Sequence, residues 1–216
     1  ENKEWCWGYR ENESMGGHDP YSASKGCSEL LTSSYIKSFY HSANIGLATA
    51  RAGNVIGGGD WAVDRLVPDL INGLHKGNQI KVRNPNSIRP WQHVLEPLSG
   101  YMTLAEKLYD NPTMYSEGWN FGPNDTDVKK VEWVANKICK LWGKGKSWTI
   151  DTNQRNHEAQ SLKLDISKAK TLLDWQPRWS VVEALKKTVD WYHEYYTRDN
   201  IKLFTLSQIE EYNKII

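Results

Sequence analysis

Tyr21 and Lys25 stand four residues apart in the run Tyr21-Ser22-Ala23-Ser24-Lys25. On a helix that spacing puts a phenol and an ammonium on one face, one turn apart. A phenol ordinarily gives up its proton near pH ~10, too late to act as a base in neutral solution. A cation beside it favours the phenolate. A phenolate held against a hydroxyl can take its proton while a hydride leaves the same carbon. The small residues between the two keep that face open for a flat cofactor ring. The competing reading is coincidence. In 216 residues with 11 Tyr, the bare spacing arises about once by chance. The pair gains weight only from its surroundings.

Those surroundings are a helix start and a strand end. Asp19 can cap free amides, and Pro20 suits the first helical position, where its missing donor costs nothing. The recurrence of Cys27, Leu30, Leu31, Tyr35 and Phe39 predicts a helix running to about His41, after a polar loop over 1–18. Downstream, residues 47–51 read as a short buried strand, followed by a glycine-dense loop over 52–59. Ligands of open α/β sheets gather beyond the carboxyl ends of strands, so this loop is a candidate site on position alone. Four further helices are predicted. One carries Leu66, Leu70, Ile71 and Leu74, and another Leu98, Tyr101, Ala105 and Leu108. The third is capped by Asp127, and the last opens on a Ser180/Glu183 capping box. Short strands fit at 79–82, 118–121, 147–150 and 161–164. Strands alternating with helices argue for an α/β protein.

Composition narrows the function classes. Apolar residues make up 39% and charged residues 25% of the chain, an ordinary globular balance. The net charge of +1 provides no basic field for nucleic acid. No apolar run approaches the ~20 residues of a membrane span. Three Cys at long spacings argue against a disulfide framework and for a reducing cytoplasm, and the six His form no i,i+4 pair, so no metal site is expected. The 11 Trp are read as core and rim residues. The opening residues show no targeting signal.

The run Gly17-His18-Asp19-Pro20-Tyr21-Ser22-Ala23-Ser24-Lys25 resembles the active-site helix of the extended short-chain dehydrogenases/reductases that act on nucleotide-sugars. Arg51-Ala52-Gly53-Asn54-Val55-Ile56-Gly57 is similar to a second signature of that family, and Arg89-Pro90-Trp91-Gln92-His93-Val94 to a third. The tract from Gly58 through Asp60-Trp61 to Asp69 resembles the 4,6-dehydratases among them, and the likeness continues through Asn120 and His157-Glu158-Ala159. The resemblance implies the C-terminal part of a Rossmann-type parallel sheet, over 1–60 and 88–121. A smaller α/β substrate lobe would occupy 61–87 and 122–216. It implies NAD as cofactor, with Tyr21, Lys25, Ala52 and Gly53 against it, and Tyr21 and Lys25 as the catalytic pair. It implies a nucleotide-sugar substrate, CDP-glucose foremost, held by Asn54, Arg65, Arg89, Asn120 and Glu158. Guanidinium forks suit phosphate oxygens, which supports the two arginines physically.

The same resemblance sets further expectations. The family's Gly-x-x-Gly-x-x-Gly turn and its water-eliminating residues would precede Glu1, so the chain by itself should bind NAD poorly and turn over little. The Tyr21 helix packs between subunits in many relatives, so a homodimer is expected. A 4-epimerase, a dehydratase for another nucleotide, and a non-catalytic binding module remain as alternatives.

Overall fold

The computed structural model describes residues 3–17, 19–143, 145, 147–152, 159–198 and 200–215. Helix α1 (Pro20–Tyr35) starts where Asp19 accepts from the Ser22 amide at 2.9 Å and hydroxyl at 2.6 Å, and a π-helical turn over Ile36–Tyr40 continues it. Those bonds, the hydroxyl's first, hold the Asp19 carboxyl below its ordinary value. Strand β1 (Thr49–Ala52) runs parallel to β5 (Gly118–Phe121), in the register Ala52↔Phe121. One residue later the chain changes partner, and β2 (Asn54–Ile56) runs parallel to β4 (Ile88–His93), which pairs antiparallel with β6 (Val128–Lys130). Gly53 is the pivot. Its amide still donates to Phe121, and a Cβ there would lie 2.5 Å from the Pro90 carbonyl oxygen. A third pair, β3 (Ile80–Val82) with β7 (Trp148–Ile150), is also parallel.

The helices cover these strands. They are α2 (Leu66–Lys76), α3 (Leu95–Asp110), α4 (Pro112–Tyr115), α5 (Val131–Trp142), α6 (Ser167–Leu172), α7 (Val181–Thr197) and α8 (Ile201–Asn213). One buried cluster joins α2, α5 and α7 through Leu70, Leu74, Val134, Ile138 and Leu185, with Ile56 and Trp91 from the strands. A second gathers Trp119, Phe121, Ile166, Leu173 and Trp175. Between α3 and α8 lies a buried carboxylate. Glu96 accepts from the Arg178 and Trp179 amides and from the Tyr212 hydroxyl, at 3.0, 2.8 and 2.7 Å. Burial pushes its carboxyl up, although these hydrogen bonds oppose the shift.

The Ser180/Glu183 capping box forms as predicted, with both reciprocal bonds present. Asp127 does not cap α5. It sits in a 3-10 turn, Lys130 occupies the cap position, and the Asp127 carboxylate accepts instead from the Val181 amide at 3.0 Å, at the entrance to α7. Residues 161–164 make only single bridges, Ser161 to Ile88 and Leu164 to Tyr9. The glycine-dense stretch begins with strand β2 rather than loop, because β4 lies alongside and completes its ladder.

Candidate active site

Tyr21 follows the Pro20 of α1, so its side chain leaves the first turn and stays 71% exposed. Lys25 follows one turn later on the same face, with its ammonium 5.5 Å from the centre of the Tyr21 ring. Helical geometry brings the two together. The helix is tied to the strand beside it by Glu29. That carboxylate accepts from Arg51 at 2.7 and 3.0 Å and from the Thr49 hydroxyl at 2.6 Å. Burial alone would raise the Glu29 carboxyl, but the Arg51 and Thr49 hydrogen bonds outweigh it and hold it below the ordinary carboxylate range.

Tyr21 borders a cleft of about 770 Å³ whose walls include Ala52, Gly53, Asn54, Arg65 and Arg89. Ala52, Gly53 and Asn54 come from the pivot between β1 and β2, where small side chains leave the wall open. Arg65 precedes α2, with its side chain 66% exposed and 3.4 Å from the Asp60 carboxylate. Arg89 rises from β4 and donates to the Ile88 carbonyl at 2.9 Å. Arg65 and Arg89 are two of the arginines around this cleft, and guanidinium forks suit an anion with several oxygens.

The profile of the GDP-mannose 4,6 dehydratase family matches residues 6–188. The chain belongs to that family. Among curated relatives, the chain is 51% identical to the CDP-glucose 4,6-dehydratase of Salmonella typhimurium strain LT2, over 98% of its own length and 60% of that protein's. The chain therefore spans about three fifths of this curated relative. Among solved structures, the dTDP-glucose 4,6-dehydratase of Bacillus anthracis in complex with NAD superposes with a TM-score of 0.73 at 22% identity, over 88% of this chain and 57% of that one. The UDP-glucose 4-epimerase of Thermotoga maritima with UDP-glucose superposes at 0.75 and 20% identity, over 89% and 59%. These two likenesses show a shared fold, the mixed α/β architecture of the family's Rossmann-type enzymes.

Lys25 and Asn120 are not among the residues that line the cleft. Asn120 is 1% exposed, and its amide nitrogen donates to the Tyr9 and Asp165 carbonyls at 2.9 and 3.3 Å. In this structure it fastens the N-terminal segment to β5. Glu158 lies outside the described residues. The cleft also contains residues not singled out from the sequence, chiefly Lys81 and Arg83 of the β3 edge, with Asp64. Arg83 donates to the Asp64 carbonyl at 2.8 Å. A signal was present in the buried–exposed–buried pattern of β3, which turns Lys81 away from the core, and in the cation directly after the strand end. Glu29 and Arg51, which tie α1 to β1, were not singled out either, and their opposite charges in adjoining elements were the available cue.

Proposed function

We propose that the protein removes water from a nucleotide-sugar, converting CDP-glucose to CDP-4-keto-6-deoxyglucose with NAD. The observation that carries this reading is one cleft that brings together the Tyr21 phenol, the open strand pivot and the Arg65 and Arg89 guanidinium groups, with the Lys25 ammonium 5.5 Å from the Tyr21 ring centre. Its substrate comes from the likeness to the Salmonella CDP-glucose 4,6-dehydratase.

The residues present fit the reactive end of the cofactor. Tyr21 shares the cleft with Ala52 and Gly53, which have no bulky side chain to block a flat ring, and Lys25 stands behind Tyr21 with its ammonium 5.5 Å from the ring centre. Tyr21, Lys25, Ala52 and Gly53 would hold NAD, which would supply a hydride acceptor for C4 of the sugar and a hydride donor for C6. The Tyr21 oxygen receives the proton of the C4 hydroxyl, and Lys25 places a positive charge beside that oxygen and holds the cofactor ribose. Asn54, Arg65 and Arg89 hold the diphosphate and so fix the sugar against the phenol. Water then leaves across C5 and C6, a step assigned to none of these residues.

In the same reading, 1–60 and 88–121 form the cofactor domain and 61–87 with 122–216 the sugar-binding lobe. The enzyme works in the cytoplasm, as a homodimer built on α1, in making deoxysugars for surface polysaccharide such as O-antigen. The test is the full-length protein with CDP-glucose and NAD, followed by product analysis. A 4-keto-6-deoxy sugar supports the proposal. A 4-epimer that has kept its water overturns it in favour of epimerisation, and unchanged CDP-glucose overturns it outright.

A further inference from the structure

Arg65 is an exposed arm of the cleft, its side chain 66% exposed, on a loop that begins with three consecutive glycines. Such an arm loses much conformational entropy when it grips an anion, unless something fixes its base. In this fold the base is fixed from behind. The backbone at Gly58 lies flat on the Trp191 indole of α7, so closely that a Cβ there would come within 2.0 Å of the ring. Gly59 follows at φ +83°, over the far edge of the same indole. Tyr192, fully buried, donates its hydroxyl to the Asp60 carbonyl at 2.6 Å. Trp61 sets its ring edge-on against Tyr192 at 5.2 Å and packs on Tyr195 at 4.9 Å. Asp60, held in this way, receives the Ala62 amide at 3.0 Å and the Arg65 guanidinium at 3.4 Å.

We infer that Tyr192 and Trp61 are positioning residues for Arg65, and that α7 uses them to hold the Gly58–Trp61 loop so that the guanidinium projects into the cleft. The inference rests on the reading of Arg65 as a diphosphate ligand. It adds that the strength of that contact is set on the opposite side of the loop, by side chains that do not touch substrate. Gly58 is required because no other residue lets the loop lie on the indole, and Trp61 because its ring fills the corner between Tyr192 and Tyr195.

The test is a double-mutant cycle in the full-length protein. It is read by calorimetric titration with CDP and by KM and kcat for CDP-glucose. Arg65→Ala should weaken CDP binding about tenfold. Tyr192→Phe, which removes only the hydroxyl, should weaken it about fivefold, with the loss in KM rather than kcat. The double variant should bind no more than about twofold worse than Arg65→Ala alone, because both act on one contact. Trp61→Leu, at a partly exposed ring, should behave like Tyr192→Phe and decides the matter if the buried variant does not fold. Should the Tyr192→Phe and Trp61→Leu losses multiply in full with that of Arg65→Ala, or be absent while Arg65→Ala has its effect, the inference is wrong and the diphosphate reading stands. Unchanged CDP binding in Arg65→Ala overturns the diphosphate reading, and this inference with it.

Discussion

Helices α1 and α7 both serve the cleft, and they are held in opposite ways. α7 buries Val181, Ala184, Leu185, Thr188, Val189, Trp191 and Tyr192, and it touches both the strands and α8. Gly26 is the one residue buried in α1, while Leu30 and Leu31 are exposed along with Tyr21. Apolar burial stabilises α7 from Val181 to Tyr192. The register of α1 on the sheet comes instead from the Glu29 carboxylate on Arg51 and Thr49. The element with the proton-transfer pair is therefore held by few polar contacts, and the element with no assigned chemistry is held by packing. Mutations of the apolar residues that α7 buries in the main cluster should act on stability, and mutations of the Tyr21–Lys25 pair of α1 on activity.

The largest effect expected from that contrast is in α7. Leu185→Ala opens a cavity in the main cluster and should cost ~2–5 kcal/mol in denaturant unfolding. An intact midpoint would remove the claim that α7 is held by burial. Tyr21→Phe should lower kcat by about 10² or more with an unchanged circular dichroism spectrum, since the ring is exposed and only its oxygen is lost. A variant of undiminished rate would take proton transfer away from α1.

The two regions should also part under acid. His93, buried below α7 against Trp179, has its imidazole pushed down to about 4, first by burial and then by the Lys187 cation. The unfolded chain therefore binds the proton first as the pH falls. Stability is full above ~6.5 and declines down to about 4, by at most ~3 kcal/mol. Glu96, raised by burial, contributes in the opposite direction. The informative measurement is thus the difference between the parent protein and His93→Gln across that range, and a flat difference would reject the assignment. The Glu29 carboxyl is depressed, so its contribution is present above the ordinary carboxylate value and is lost as the pH falls through its lower folded value. Glu29→Gln should do at neutral pH what acid does, loosening α1 by roughly 1–3 kcal/mol in amide hydrogen exchange while α7 stays protected. Equal loosening of both helices would erase the distinction. Smallest of all, Leu30→Ala at a position 72% exposed in the single chain should shift unfolding of the monomer by less than about 0.5 kcal/mol.

Much of this was legible in the residues. Caps act within a turn of chain, so Asp19-Pro20 and Ser180/Glu183 announced where α1 and α7 begin. The Tyr21–Lys25 spacing needed only a helix to bring the pair together. Strand β4 was not legible, because Pro90 within it speaks against a strand. The fold tolerates the proline where pairing with β6 ends and pairing with β2 begins. Asp127 looked like a cap for the helix next in sequence, and it serves one that begins far along the chain. Asn120 matched a motif for the cleft, yet its amide was taken up by the Tyr9 and Asp165 carbonyls.

The sequence by itself determined helices α1, α2, α3, α5 and α7, the caps that open α1 and α7, the phenol–ammonium pair and the family, because these depend on neighbours a few positions away or on a pattern read in order. The tertiary structure decided which distant side chains share the cleft with Tyr21. It also decided that a glycine run should lie on Trp191 and that Arg65 should be braced from α7. Those outcomes depend on close packing between segments far apart in the chain, and no local spacing encodes that.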